Sequence, residues 1–247
     1  MKPGLPLYRQ LRSRLMRTAL FRDLPEALLD DMLGHFRMES WSRGSIHDSQ
    51  TAMRRFYVLV EGRMELLRTN PFTGKQVSLL ILRPGDLYDV LSLLDYQSHD
   101  VLPSALDDLQ LLSADLTEVR DWIHRHPEFN RNFMPYLAQQ IRVREALATD
   151  LALYDTDTRL ARLILRYATI DGVPDDSMGH GIEATLLNGL SNEKLAQMIG
   201  SVRQVVNRHL QAMKKDGILH IEKRRLIIDD LEKLKRRAEV LEAAWRR

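Results

Sequence analysis

Three textures follow one another along the chain. Between residues 18 and 37, Leu20, Phe21, Leu24, Leu28, Leu29, Met32, Leu33 and Phe36 recur at steps of three and four. That is the period of a helix with one buried face, and it predicts a helix over 18–37. From about 38 to 115 the apolar runs shorten to Phe56–Val60, Met64–Leu67, Val77–Leu82 and Leu109–Leu112. Turn signals punctuate them at Arg43-Gly44, Glu61-Gly62, Asn70-Pro71, Thr73-Gly74 and Pro84-Gly85. Many short strands with such punctuation predict an antiparallel barrel, roll or sandwich.

Helical spacing returns near Leu116. A short helix ends around His126-Pro127, and residues 127–153 form one long helical pattern. Pro127 suits a first helical turn, where its missing N–H is not needed. Met134, Leu137, Ile141, Ala148 and Leu151 alternate by threes and fours, interrupted by Arg144. That is a coiled-coil-like seam, and it predicts self-association into a homodimer. A helix over Arg159–Tyr167 follows, then a loop at Asp171–Gly181. The tail from Asp230 to Arg247 reads as a charged helix with Leu231, Leu234, Val240 and Leu241 on one side. The expected organisation is a sensor-like region over 1–120, a dimerisation helix over 121–154, a C-terminal domain over 155–230 and a helical tail over 231–247.

The stretch 191–228 carries the most specific chemistry. Ser191 is a good N-cap for a short helix whose apolar face is Leu195, Met198 and Ile199. Gly200 supplies a tight turn. Ser201 and Gln204 have the spacing of a capping box for a second helix. Val202, Val205, Val206, Leu210 and Met213 form its inward face, and Arg203, Gln204, Asn207, Arg208 and Gln211 its outward face. Gly217 fits the helix end. Ile218–Ile221 and Leu226–Ile228, joined through Glu222–Arg225, predict a hairpin with a basic tip. Two helices on a glycine turn followed by a basic hairpin form a winged helix-turn-helix. Arginine can donate twice to guanine and glutamine can pair with adenine, so Arg203, Gln204, Asn207 and Arg208 are the candidate base readers. Ser191, Ser201, Lys214, Lys215, Lys223, Arg224 and Arg225 are candidate phosphate contacts, and double-stranded DNA is the expected partner.

Charge sharpens this reading. The 247 residues carry a net charge of only +2. Residues 1–120 hold 15 Lys/Arg against 16 Asp/Glu, whereas 191–228 hold 8 basic and 3 acidic residues. A surplus confined to one segment points to a local polyanion contact. The chain has no cysteine, which removes disulfides, thiolate metal sites, cysteine nucleophiles and iron–sulfur ligation. No metal site is expected. No apolar run approaches the roughly 18 residues of a membrane span, and the basic N-terminus lacks the apolar core of a secretory signal. The expectation is a cytoplasmic protein. The adjacent pairs Asp30-Asp31, Asp107-Asp108 and Asp175-Asp176 read as turns or caps, since neighbouring side chains diverge. No phosphate-binding glycine loop or hydrolase motif is present, so the chain is not expected to be an enzyme.

The order of parts resembles the CRP/FNR superfamily of bacterial transcription regulators over roughly residues 18–230. Ile199-Gly200-Ser201-Val202-Arg203-Gln204-Val205-Val206-Asn207-Arg208 is similar to that family's recognition-helix pattern, with Gln204 where the family has glutamate. Gly44, Gly62 and Pro84-Gly85-Asp86 match turn positions of its β-roll, and Asp155 and Arg159 match its hinge. The resemblance implies an α+β fold: an N-terminal antiparallel β-roll, a long dimerisation helix and a C-terminal winged helix-turn-helix. It also implies a homodimer on a two-fold DNA site, with RNA polymerase as a further partner if the protein activates. The effector pocket departs from the family. Its cyclic-nucleotide cassette is replaced by Asp89-Val90-Leu91-Ser92, with Val90 at the ribose-binding glutamate. The Arg-Ser pair falls near His99-Asp100, and the adenine-contacting Thr-Ser pair aligns with Arg144-Glu145. A cyclic phosphodiester needs a cation, so tight cyclic-AMP binding is not expected. No cofactor is assigned; His47 and His99 are the haem-ligand candidates. A sensor module working through protein contacts, and a regulator needing no small ligand, stay open on these residues.

Overall fold

The computed structural model describes residues 6–47, 55–97, 100–170 and 182–239. The chain divides into two compact units, Met1–Val143 and Arg144–Arg247. No helix among the described residues is long and apolar enough to cross a membrane.

The first unit opens with α1 (Pro6–Leu15) and α2 (Glu26–His35). The apolar period over 18–37 therefore does not form one helix. Asp23 sits in the left-handed region at φ 59° and Pro25 occupies the N-cap of α2. A proline steers the residue before it out of helical geometry, which forces the break. Leu20, Phe21, Leu24, Leu29, Met32, Leu33 and Phe36 are nonetheless all buried. The burial was legible; the continuity was not. Helix α1, which the spacing did not mark, adds Tyr8, Leu11 and Leu15 to the same core.

The strands are β1 (Arg37–Trp41), β2 (Arg55–Glu61), β3 (Met64–Thr69), β4 (Gln76–Leu82), β5 (Leu87–Tyr88), β6 (Leu102–Ala105) and β7 (Leu109–Asp115). They form two antiparallel sheets in the orders β1-β7-β2-β5 and β4-β3-β6. Strands β2 and β7 are buried on both faces. Phe56, Val58, Val60, Leu112 and Ala114 face a helical core, while Tyr57, Leu59, Leu109 and Leu111 face the interior of the roll. The pleat sends successive side chains to opposite faces, so one continuous apolar run serves both cores. At the β2–β3 turn, Gly62 has φ 84°, and a Cβ there would lie 2.6 Å from the Asp108 carbonyl oxygen. Arg63 closes this corner by donating to both oxygens of Asp107 at 2.7 and 2.9 Å. Those hydrogen bonds hold the Asp107 carboxyl below the usual range.

Three more helices follow in the chain. They are α3 (Val90–Asp95), α4 (Leu116–Arg125) and α5 (Pro127–Leu153), the last spanning 27 residues. Pro135 lies inside α5. The helix continues past it because Phe129, Phe133 and Tyr136 bury that turn in the helical core, outweighing one lost backbone hydrogen bond.

The second unit contains α6 (Thr156–Ile170), β8 (Ile182–Glu183), a short 3-10 turn (Thr185–Leu187), α7 (Asn192–Ile199), α8 (Arg203–Lys215), β9 (Leu219–Glu222), β10 (Arg225–Ile228) and α9 (Leu231–Arg237). The Asp155 carboxylate accepts from the Thr158 N–H at 2.8 Å and caps α6. That bond is the main reason its carboxyl is held low. The order β8-β10-β9 adds a strand to the expected hairpin; two residues are too short for a periodic signal. Of the tail helix predicted over 230–247, α9 forms only Leu231–Arg237, and Glu239 then turns left-handed at φ 51°. Asp230 caps α9, Leu234 is buried, and Arg237 pairs with Asp157 (2.7 Å) and Asp216 (2.8 Å). The loop at 171–181 and the tail positions Val240 and Leu241 lie outside the described residues.

Candidate nucleic-acid interface

Helices α7 and α8 form the helix-turn-helix. The Ser191 hydroxyl oxygen accepts from the Lys194 N–H at 3.2 Å and caps α7. Gly200 turns the chain at φ 63°, where a Cβ would lie 3.1 Å from a Leu151 methyl. Only glycine combines that backbone with so close an approach.

The start of α8 differs from expectation. Val202, not Ser201, occupies the N-cap, and no side chain caps the helix. Val205 and Val206 N–H both bond the Val202 carbonyl, at 3.1 and 3.2 Å. The Ser201 N–H is committed to the Ala196 carbonyl of the preceding helix, so Ser201 belongs to the turn and the Ser201–Gln204 capping box does not form. Val202 is 55% exposed rather than inward. The first turn of α8 thus leaves the amides of Arg203 and Gln204 without helical partners, beside the positive end of the helix dipole.

Below that turn the two faces separate as the spacing predicts. Val206, Leu210 and Met213 are buried, while Arg203, Gln204, Asn207, Arg208 and Gln211 are exposed. The Asn207 amide oxygen accepts from Asn192 Nδ2 at 3.1 Å. That bond orients the Asn207 side chain and leaves its own NH₂ free to donate, a link across fifteen residues that no local pattern marks. His209, half-buried on the flank of α8, pairs with Asp157 at 2.9 Å. Gly217, at φ 65°, ends the helix, with the Ile218 N–H on the Met213 carbonyl at 2.9 Å.

The hairpin β9–β10 turns on Lys223 and Arg224, both left-handed at φ 47° and 66°. A two-residue turn of that hand matches the twist of paired strands and normally takes Asn-Gly. Here the pairing of Arg225 with Glu222 and of Leu226 with Ile221 imposes it. The five candidate phosphate-binding cations are not equivalent. Lys223 is the most open, with its side chain 86% exposed and its Nζ at a long 3.9 Å from Glu222. Arg224 donates to the Gly189 carbonyl at 3.3 Å and Arg225 pairs with Glu183 at 2.9 Å. Both are tied back along the base of the wing. Lys214 and Lys215 close the last turn of α8.

The candidate effector residues do not gather at one place among the described residues of the first unit. Asp89 is buried and left-handed (φ 67°) ahead of α3, and Val90 packs against the helical core. Asp100 is exposed and faces Arg68 at 3.8 Å. His99 lies outside the described residues, and Arg144 and Glu145 belong to the second unit. Arg120, which the sequence did not single out, holds this loop. It donates to the Ser92 and Leu93 carbonyls, both at 2.9 Å, and lies 3.7 Å over the Tyr96 ring. The roll interior is filled by Trp41, Tyr57, Met64, Leu66, Leu82, Tyr88, Leu109 and Leu111. The His47 ring stacks on Trp41 at 3.7 Å with Nε2 3.2 Å from the Ser45 hydroxyl, and burial pulls its pKa down.

A Crp-like helix-turn-helix domain matches residues 158–237. The CRP-like cAMP-activated global transcriptional regulator of Mycobacterium tuberculosis is 28% identical over 184 residues, covering 74% of this chain and 80% of that protein. The global nitrogen regulator of a Synechocystis species is 28% identical over 220 residues, covering 86% and 95%. Residues 158–237 thus match a Crp-like helix-turn-helix domain, and the chain as a whole is similar to CRP/FNR-type transcription regulators. A CooA mutant from Carboxydothermus hydrogenoformans superposes with a TM-score of 0.69 at 25% identity, covering 91% of this chain and 99% of the other. The roll, the long helix and the C-terminal helix-turn-helix follow one another in the order that the resemblance implies. The wing and the exposed face of α8 stand where the family model places its helix-turn-helix domain.

Proposed function

We propose that the chain is a homodimeric regulator that reads a two-fold-symmetric DNA site through α8. The observation that carries this reading is the exposed row Arg203, Gln204, Asn207 and Arg208, backed by buried Val206, Leu210 and Met213. Arg203 and Arg208 are suited to guanine and Gln204 to adenine. Lys214, Lys215 and Lys223 are the freer phosphate contacts, with Ser191 and Ser201 offering hydroxyls. Arg224 and Arg225 would first have to leave their partners. Dimerisation is supported by α5, where Met134 (51%), Ile141 (57%) and Leu151 (43%) are exposed apolar side chains on one helix, with Ala148 and Arg144 also exposed. Leu137 leans on its own unit's core instead. If the protein activates, RNA polymerase is its further partner.

We also propose that cyclic AMP is not the switch. Val90 stands where the cassette needs a carboxylate, and Asp89 and Asp100 add negative charge around a phosphodiester. Haem is not favoured either, because the His47 ring already lies on Trp41 and its Nε2 faces Ser45.

The test is selection of bound duplexes from a random library, followed by Arg203→Ala on the best site. Losing a bidentate guanine contact is expected to weaken binding by about 1–3 kcal/mol, roughly 5- to 150-fold. An unchanged affinity would remove α8 from the centre of the reading.

A further inference from the structure

One cavity of the first unit lies outside both the effector loop and the interior of the roll. Its volume is 620 Å³, and it opens among the end of α1, the end of β2, the turn before β5 and the middle of α5. Neither Asp89, Val90 nor Asp100 lines it. Arg14, Arg17 and Arg83 bring three guanidiniums to its walls, and Thr18, Gln139 and Gln140 bring neutral hydrogen-bonding groups.

The walls are held firmly. Gly85 packs its backbone against Thr18, where a Cβ would lie 3.0 Å from the Thr18 methyl, and its φ is +97°. The Gly85 N–H bonds the Leu59 carbonyl at 2.7 Å, and the Leu59 N–H bonds the Asp86 carbonyl at 3.0 Å. The Leu87 N–H donates to the Tyr136 hydroxyl at 3.0 Å, joining the same turn to α5. Two carboxylates also border the space. Glu61 faces Arg14 at 3.4 Å, and Asp86 accepts from the Arg83 N–H at 2.9 Å. Arg17 has no ion-pair partner among the described residues and is exposed to the cavity mouth. The surplus is thus one cation, beside amides and a hydroxyl that suit the OH groups of a compact solute.

We infer that this cavity is a ligand site for a small hydroxylated organic anion carrying phosphate or carboxylate, held by Arg17 with Arg14 and Arg83 and by the amides of Gln139 and Gln140. Guanidinium forks match both oxyanions. The volume falls in the range of ordinary small-molecule pockets. The Arg83–Asp86 turn leads through the two residues of β5 into Asp89, so occupancy here bears on the effector loop directly. This assignment is independent of how α8 reads DNA.

Calorimetry on the full chain at constant ionic strength tests it. Glucose 6-phosphate and citrate are the probes for the two oxyanion types, with glucose and sulfate as controls. One of the two probes is expected to bind at least about tenfold more tightly than sulfate, and glucose alone not to bind. Arg17→Glu is expected to weaken that probe by about tenfold or more, as is Gln139→Glu on the α5 wall, with unliganded Tm values unchanged. Arg203→Ala is expected to leave it untouched, which separates this cavity from the DNA-binding face. Which probe binds identifies the oxyanion. Neither probe exceeding sulfate, both wall variants binding like the wild type, or loss of binding in Arg203→Ala would each overturn the site.

Discussion

Replacing Asp150 by alanine is expected to destabilise the second unit by about 3 kcal/mol, at the lower end of what breaking a buried ion pair costs. The Asp150 side chain is 5% exposed and accepts from Arg162 Nε at 2.5 Å and, through its other oxygen, from Arg166. Arg162 also donates to the Ala238 carbonyl at 3.1 Å and stands 4.4 Å over the Tyr154 ring. One carboxylate therefore joins the end of α5, the face of α6 and the chain after α9. Alanine would leave two guanidiniums, each only about one-fifth exposed, without their counter-charge. Partial solvent access at the arginines is what places the figure low in the range. Asp150 also neighbours Leu151, whose methyl abuts Gly200, so the helix-turn-helix should loosen with it. Urea unfolding of wild type and Asp150→Ala measures this. A difference below about 1 kcal/mol would show the cluster to be a surface network instead.

Ile141→Lys is expected to convert the proposed dimer to a folded monomer and to lower affinity for the selected duplex by about 10²- to 10³-fold. The side chain is 57% exposed, so the substitution leaves the unit's own core intact. In a two-fold seam a residue near the axis meets its own copy, and two ammonium groups there repel at the cost of the buried apolar contact. Each α8 would then bind its half-site alone, losing the effective concentration that linkage supplies, which is worth about 10²- to 10⁴-fold. Sedimentation velocity at micromolar concentration and titration of the duplex report the two effects separately. An Ile141→Lys protein that stays dimeric would place the seam elsewhere on α5.

A smaller effect separates burial from pairing at Asp86. Burial pushes its carboxyl up from 3.8 to about 6, against the Arg83 hydrogen bond and charge. The folded state holds this proton more tightly than the unfolded chain does. Its contribution is full below about pH 4 and is lost as pH rises through about 6. Asp86→Asn keeps an acceptor for the Arg83 N–H and is expected to stabilise by about 1–2 kcal/mol at pH 7.5 and by little at pH 4.5. Thermal unfolding at the two pH values checks it, and equal shifts at both would assign the gain to something other than the proton.

Much of the architecture could be read from residue spacing. The three-and-four period over 127–153 and the Gly200 break are each local signals, and each appears where the period puts it. Local signals fail where two of them compete. The period from Leu20 to Phe36 favours one helix, and Pro25 divides it. Ser201 and Gln204 have capping spacing, but the turn needs the Ser201 N–H for Ala196, so the cap moves to Val202. Lys223-Arg224 lacks every hairpin-turn residue, and strand pairing on either side imposes the turn.

The order of elements, the apolar side of each and the segment where positive charge accumulates are all written in the chain, because each depends on neighbours a few residues away. What distant residues do to one another is settled by the folded chain. Asp150 looks like any solvated acid on a long helix until Arg162 and Arg166 close on it. Asn207 looks like a free reader until Asn192 orients it. Arg224 and Arg225 look equivalent to Lys223 until the Gly189 carbonyl accepts from one and the Glu183 carboxylate pairs with the other. Arg14, Arg17 and Arg83 are scattered cations until the fold of the first unit sets them around one cavity. Contacts between different elements are fixed by the packing of whole elements, and the period within any one element does not reveal its partner in the next.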